Sequence, residues 1–463
     1  MLCASKAALH RFTGLSNRLQ YIPHTVAIIS EPTTPYAVAS TLPGTENAIA
    51  TAVIDDPSKA RVTGYMYHKD YQGGVAFTGA NLHRVAFNLR ELTGMPGRFV
   101  SAIPGMPDSD FERFAPRRAL DPLGDTVSSV SLLPTIQDDL TITNAARVSF
   151  NKQSNWFTKI TQEKRSDEGL LNFLVRKNHW TPISQVNFLF KCSMDIHDYV
   201  RYSVLASKYQ MSHCITSTEG SKVEFFERGS AYAYLQLDRD GMSIPQEIRD
   251  LLPYTIAAHV AHREQHEHVK YTIDRTLMND HFLGTAKSDF PLPAAESADL
   301  FTLTFRVKVP IFVARQLGKH QIDMTTNEVS RRYVSDKPDC YTPKVFREHN
   351  ADIKQGSKDT QVPHNDMAYL VTRRTVETSL AGYSALLDSY NVCREQSRIV
   401  LPQSTYTEYI QTGTVSAYQR LLGLRLAPDA QWEVRQYAKA ILSLAKQSEH
   451  ARFFSHILDP DTQ

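Results

Sequence analysis

The sequence predicts a mixed α/β fold, of the α+β kind, divided into more than one domain. Three observations carry this. Residues 25–30, 127–133, 186–190 and 301–308 are short and alternating or wholly apolar, the pattern of strands. Between them apolar residues recur at three- and four-residue steps, the period of a helix buried along one side. The chain has 463 residues, 42% hydrophobic and 22% charged, enough for two to four ordinary folded domains.

Taken in order, residues 1–123 read as an extra N-terminal domain to which the sequence assigns no role. It holds the strand at 25–30 and a helix at 80–94, with Leu82, Val85, Leu89 and Leu92 on one face and Gly94 as its stop. Gly73, Gly74 and Gly79 lack the strand–turn–helix frame of a nucleotide loop and read as turns. Prolines 104, 107, 116 and 122 mark a linker. Residues 124–191 open a core. After the strand at 127–133, Ser166 is a natural N-cap, and Asp167 and Glu168 suit the positive end of a helix that ends near His179. The strand at 186–190 follows. Residues 192–300 read as a largely helical insertion. Residues 301–463 complete the core with the strand at 301–308, a helix over 311–320 and a long helix over 366–388. That long helix has Tyr369, Val376, Leu380, Tyr383 and Leu387 on one face. A last helix opens at Asp429 and turns Val434, Tyr437, Ile441 and Leu444 inward.

Composition narrows the function. Lys and Arg number 51 against 49 Asp and Glu, a net charge of +2, so bulk charge argues for neither a nucleic-acid nor a membrane partner. Five scattered cysteines, none in a Cys-x-x-Cys pair, point to a reducing compartment without structural zinc. The first residues are too interrupted for a secretory segment, and no apolar run is long enough to cross a bilayer; the expected location is the cytoplasm.

The densest polar cluster runs from Arg315 to Tyr333. On a helix Gln316, Lys319 and His320 share a face, and on an extended segment Glu328, Ser330 and Arg332 do. One carboxylate, a hydroxyl, an amide, an imidazole and two cations suit a phosphorylated ligand, and equally a solvated, charged surface. Arg398 precedes an apolar turn closed by Pro402, a place at the rim of a core where it needs an anionic partner or an internal salt bridge. Arg425, between Leu424 and Leu426, reads as enclosed by apolar neighbours. His262-Arg-Glu-Gln-His266 has its Glu displaced by one from a zinc-protease helix and reads as an exposed helix; no metal is expected. Gly229-Ser-Ala-Tyr-Ala-Tyr234 echoes Gly413-Thr-Val-Ser-Ala-Tyr418 and reads as coincidence before duplication, with Tyr232 and Tyr234 as core aromatics.

Pro310-Ile-Phe-Val-Ala-Arg-Gln316, Lys319-His320 and Asn327-Glu328-x-Ser330-x-Arg332-Tyr333 resemble the signature of flavin-dependent thymidylate synthases. Ala145-Ala-Arg-Val-Ser-Phe150, Asn178-His-Trp-Thr-Pro182, Arg398-Ile-Val-Leu-Pro402, and Leu424-Arg425 with Ala430-Gln-Trp-Glu433 match in order. Together the likeness covers about residues 125–191 and 301–455. The Lys-His-Gln version resembles copies carried by bacteriophages, which implies a host's cytoplasm as the location for a phage-encoded chain.

The resemblance implies a synthase-like core and a homotetramer that methylates dUMP to dTMP. The one-carbon unit would come from 5,10-methylenetetrahydrofolate, with FAD as cofactor and NADPH as reductant. It implies dUMP contacts at Gln316, Lys319, Glu328, Val329, Ser330, Arg331, Arg332, Arg398 and Arg425, the last assisting ionisation of the uracil ring as the catalytic residue. It implies FAD contacts at His179, Thr181, Lys319, His320, Gln321, Glu328, Thr414, Ser416 and Arg420. The family's usual Arg-His-Arg is Lys319-His320-Gln321 here, and its Asn and Arg in the later segment are Thr414 and Ser416, so the FAD contacts are where this chain departs most. The same scaffold also accommodates a hydroxymethylase, with water completing the one-carbon transfer, or a binding protein without turnover.

Overall fold

The computed structural model describes five strands between residues 26 and 77, and residues 119–133, 139–153, 166–260, 292–350 and 357–458, with gaps at 243, 245, 250–251 and 449. The expected helix at 80–94, Gly79, most of the linker and His262, His266 and His268 lie outside the described residues. The chain forms two compact units. The first comprises Met1–Ala115, Pro134–Asn144 and Ser154–Thr285, and the second Pro116–Leu133, Ala145–Gln153 and Ala286–Gln463.

In the first unit the expected N-terminal strand is the first of five. Strands β1 (Val26–Ile29), β2 (Tyr36–Thr41), β3 (Ile49–Asp56), β4 (Arg61–His68) and β5 (Tyr71–Phe77) each pair antiparallel with the next. Gly73 and Gly74 are not turn residues: they lie inside β5, opposite Met66 and Tyr65. Pairing along a full strand outweighs the local preference of glycine for turns.

Later in the same unit, helix α1 (Asp167–Arg176) starts where the sequence places it, with the Ser166 hydroxyl accepting from the Gly169 N–H at 3.1 Å. Strands β7 (Asn187–Asp195), β8 (Ser212–Glu219) and β9 (Lys222–Ser230) form a sheet in the order β7-β9-β8. Helix α2 (Ile196–Lys208) leaves β7, and α3 (Ala231–Arg239) leaves β9. The segment read as a helical insertion is thus built on a β-hairpin.

In the second unit β6 (Ser129–Leu133), β10 (Thr302–Pro310), β11 (Met324–Glu328) and β14 (Tyr406–Thr414) form an antiparallel sheet, ordered β11-β14-β10-β6. A small ribbon pairs β12 (Arg347–His349) with β13 (Ser357–Gln361). The helices are α4 (Ile311–Leu317), α5 (Asn365–Ser384), α6 (Val415–Arg425) and α7 (Trp432–Lys446). Val376, Leu380 and Tyr383 of α5, and Val434, Tyr437, Ile441 and Leu444 of α7, are buried as their spacing predicts. Among the described residues no helix is long and apolar enough to cross a membrane.

The two units share a frame. Strand β7 pairs with β9 over nine residues, Asn187↔Ser230 to Asp195↔Lys222, and β10 pairs with β14 over nine, Thr302↔Thr414 to Pro310↔Tyr406. In each, a helix follows the first strand at once. In each, the last residue of the second strand caps the next helix: Ser230 accepts from Ala233 N–H, Thr414 from Ala417 N–H, both at 3.1 Å. A third strand pairs in the same register, His213↔Glu227 against Thr326↔Gln411. The Ala231 N–H reaches Val186 O and the Val415 N–H reaches Phe301 O, both at 2.9 Å. Tyr234 meets Phe190 edge-on, as Tyr418 meets Phe305. The echo between Gly229–Tyr234 and Gly413–Tyr418 is therefore a repeated structural unit and not a coincidence. Its tyrosine plugs explain the glycines. A Cβ on Gly229 would sit 2.6 Å from Met211 Cε and 2.9 Å from the Tyr234 ring; on Gly413, 3.0 Å from Met324 Cγ and 3.1 Å from Tyr418. Gly229→Ala is expected to cost about 1–3 kcal/mol of stability, and Gly413→Ala less, read by denaturant unfolding. Equal stability of Gly229→Ala and the parent chain would contradict this packing.

Candidate active site

The second unit gathers polar side chains at the C-terminal end of α4. Pro310 ends β10 and serves as N-cap of α4, and Gly318 ends that helix. Lys319 and His320 therefore lie in a turn beyond the helix, their N–H groups reaching Gln316 O at 3.4 Å and Leu317 O at 3.2 Å. The shared helical face expected for Gln316, Lys319 and His320 is replaced by this tight turn, because the helix stops one residue before Gly318.

Arg425, in the last turn of α6, closes the turn from the other side. Its Nε donates to His320 Nε2 at 3.1 Å and one terminal nitrogen donates to Gln316 O at 2.8 Å. It is half-buried, and Leu424 beside it is 64% exposed. The expected apolar enclosure is not found, since successive helical residues point about 100° apart. Among the described residues its hydrogen-bond partners are neutral. Burial, then the charges of Arg425 and Arg420, hold the His320 imidazole below its usual value. Neutral His320 offers Nε2 as an acceptor, which a protonated ring cannot.

The sign of the pH effect follows. A lowered native value means that the unfolded chain takes the proton first as pH falls. The His320 contribution to stability is full above the ordinary imidazole value, about 6.5, and declines below it towards the lowered native value. Melting temperature against pH should show this acid limb in the parent chain and a smaller one in His320→Gln. Identical limbs would exclude His320 as the titrating group.

Two residues the motif reading left without a role join this end. The Gln316 side-chain N–H donates to Gln431 Oε1, and Gln431 Nε2 donates to Glu433 Oε2 at 2.9 Å. Both belong to the Ala430–Glu433 stretch, whose nearness to Arg425 in sequence was the only signal of their place.

Glu328 ends β11, so Ser330 and Arg332 are not on the extended segment expected for them; they lie in the turn that follows. Thr407 Oγ1 donates to Glu328 Oε1 at 2.6 Å, and the Val329 N–H reaches Glu408 O at 2.8 Å. The Ser330 N–H reaches Ser149 O at 3.0 Å, and Ser149 Oγ donates to Glu328 O at 2.9 Å, which anchors the Ala145–Phe150 motif here. Arg332 turns back on Ser330 Oγ at 3.3 Å and lies 3.9 Å from Glu395. Arg331 points to Asp336 O at 2.7 Å. Arg398 is exposed and donates to Glu395 O at 3.2 Å; Ile399 after it is 84% exposed, so this arginine is not at the rim of a core within the described residues.

The residues expected to hold FAD are divided. Lys319 and Gln321 are exposed, and their side chains meet no partner among the described residues. Thr414 is engaged as the cap of α6. Ser416 donates to Asp299, and Arg420 contacts Ser416 Oγ and Asp323 Oδ2, each at 3.3 Å. A dinucleotide phosphate fits beside the Lys319 ammonium and is opposed by the two carboxylates beside Ser416 and Arg420. His179, stacked on Phe173 at 5.8 Å, and Thr181, in the short helix Trp180–Ile183, belong to the first unit. Among the described residues no group of three or more His, Cys, Asp or Glu is placed to hold a metal.

Residues 295–448, which carry this cluster, match the thymidylate synthase complementing protein family, Thy1. The resemblance read from the motifs is thereby borne out for its second stretch. A flavin-dependent thymidylate synthase of Thermus thermophilus is 38% identical over 164 residues, 35% of this chain and 59% of that protein. One of Thermosipho melanesiensis is 37% identical over 145 residues, 31% of this chain and 62% of that protein. The chain thus spans about three-fifths of the length of these relatives. A solved structure of a UMP/dUMP methylase, PolB from Streptomyces cacaoi bound with 5-Br UMP, aligns with 35% of this chain and 78% of its own. The identity is 25% and the TM-score 0.31.

Proposed function

We propose that the protein is a flavin-dependent thymidylate synthase. It would methylate dUMP at the pyrimidine ring, with 5,10-methylenetetrahydrofolate as one-carbon donor, NADPH as reductant and FAD as cofactor, in the cytoplasm. The observation that carries the reading is the clasp of Arg425 on Gln316 and His320, inside the family segment. It holds the backbone carbonyl of Gln316 and so sets guanidinium donors at the turn whose glutamine also carries a side-chain amide, the two kinds of group that the alternating carbonyl and N–H edge of uracil requires. The Ser330–Arg332 turn with Arg398 would take the phosphate, with the Val329 and Arg331 backbone and Lys319 alongside. Lys319, His320, Gln321 and Glu328 would hold the flavin, whose reduced form, when bound, supplies the hydride that completes the methyl group. Arg425 stays charged and is no general base; it stabilises negative charge that develops on the ring. Met367, Leu370 and Val371 leave an exposed apolar stripe on α5, which supports self-association, read as a homotetramer.

The test is turnover with dUMP, 5,10-methylenetetrahydrofolate and NADPH, with and without FAD, and mass analysis of the nucleotide. A methyl adduct supports the reading, a hydroxymethyl adduct moves it to the hydroxymethylase, and no adduct removes it. FAD is expected to bind more weakly here than with a full Arg-His-Arg motif. Each charge-assisted bond contributes about 1.5–3 kcal/mol, so Lys319→Arg with Gln321→Arg should tighten FAD by at least tenfold in equilibrium dialysis. Unchanged affinity would remove these two positions from the flavin contacts.

A further inference from the structure

We propose that Glu433 is a specificity-determining positioning residue: through Gln431 it fixes which end of the Gln316 amide faces the substrate, and so selects uracil over cytosine. The inference rests on the reading of Gln316 as a pyrimidine contact.

The argument runs along three side chains. Glu433, in the first turn of α7, is only 9% exposed. Its carboxylate can accept hydrogen bonds and cannot donate them. Gln431 lies against it at 2.9 Å, so the Gln431 NH2 must be the end that faces Glu433. The Gln431 carbonyl oxygen is then left for Gln316, and only the NH2 of Gln316 can meet it. Two links from the carboxylate, Gln316 is left with Oε1 as its free end. A free glutamine has two nearly equal orientations, presenting either a donor or an acceptor. Reversing either amide here would set oxygen against oxygen. The polarity of the whole chain is therefore set by the one member that cannot be reversed.

A fixed acceptor discriminates between the two pyrimidines. The ring N3 of uracil carries a hydrogen and donates to Oε1. The N3 of cytosine carries a lone pair and is repelled by it. Arg425, which holds the backbone carbonyl of the same glutamine, would supply donors for a ring carbonyl, so acceptor and donor together would read the uracil edge. Glu433 touches no substrate in this scheme, and its effect appears as a change of preference.

The experiment uses the full chain and measures the binding of dUMP and dCMP by calorimetry, with melting temperature as a check of folding. In Glu433→Gln the last link can present either end, so both downstream amides become free to turn. The preference for dUMP over dCMP should fall roughly 10- to 100-fold, the range of one misplaced buried hydrogen bond, with melting nearly unchanged. The double variant Gln431→Glu/Glu433→Gln moves the carboxylate next to Gln316, which again forces the Gln316 NH2 towards it. It should recover the dUMP preference. An unchanged preference in Glu433→Gln, or equal loss of both ligands with no recovery in the double variant, would overturn the proposal while leaving dUMP as the ligand. Absence of dUMP binding to the parent chain would overturn the nucleotide reading and this inference with it.

Discussion

Arg425→Ala is expected to lose roughly 100- to 1000-fold in turnover while the chain stays folded. Removing one donor that stabilises charge in a transition state typically costs about 2.7–4 kcal/mol of barrier. The guanidinium has two sides. One holds His320 Nε2 and Gln316 O, and this contact caps the end of α4. Losing the cap costs stability of the order of 1 kcal/mol, too little to unfold a domain. The remaining N–H groups are the ones available to a substrate. Arg425→Lys keeps the charge but cannot hold both protein acceptors and still present a planar fork, so it should stay strongly impaired. Turnover, dUMP binding and melting temperature measured side by side separate these contributions. Near-normal turnover of Arg425→Ala, or collapse of the fold in both variants, would make the residue structural.

The largest effect on stability is expected in the first unit, at His213→Ala. Glu227 is fully buried and accepts from His213 Nε2 at 2.9 Å and from the Tyr234 hydroxyl at 2.8 Å. Tyr202 stacks on the imidazole with centroids 5.5 Å apart. Taking away the imidazole leaves a buried carboxylate without its main partner, a loss of about 3–5 kcal/mol. The repeated frame supplies a control. The positions of His213 and Glu227 are held in the second unit by Thr326 and Gln411, joined at 2.9 Å. The double variant His213→Thr/Glu227→Gln copies that neutral pair and should recover most of the loss. Denaturant unfolding of the three chains measures it; a His213→Ala chain as stable as the parent would show that the pair contributes little.

The sequence makes legible those elements whose pattern reports burial directly. Strand β6 alternates buried and half-buried residues, β7 and β10 open with four buried residues before they alternate, α1 has a matching cap, and α7 a clear inward stripe. Strand β8 was missed because its residues, Ser212 to Glu219, are half-buried or exposed and carry no apolar alternation. The N-terminal strands were mostly missed because small and polar residues interrupt their apolar ones and their partners are one another. At the site, residue types and order identified the cluster from Gln316 to Arg332. Its orientation was not legible. Arg425 was misread from its neighbours in sequence, which on a helix are not its neighbours in space. Gln431 and Glu433 gain a role only when α7 packs beside the turn after α4.

Two nine-residue strand pairs of one register within a single chain are competitors while it folds. Strand β10 has the length and spacing to lie on β9, and β7 to lie on β14, and tandem units of one architecture misassemble by such exchanges. The buried polar residues distinguish right from wrong partners. Arg228 on β9 donates to Asn187 on β7 at 3.1 Å, whereas Thr304 on β10 bonds Thr412 on β14 at 2.7 Å. With β10 in place of β7, Arg228 would face threonines and lose its amide acceptor. With β11 in place of β8, Glu227 would face Thr326 in place of the His213 imidazole. Each error leaves a charge buried with a weaker partner, which is costly, while each correct pairing leaves none. The polar pairs thus serve as an address, directing each strand to its own sheet in a chain that carries the same frame twice.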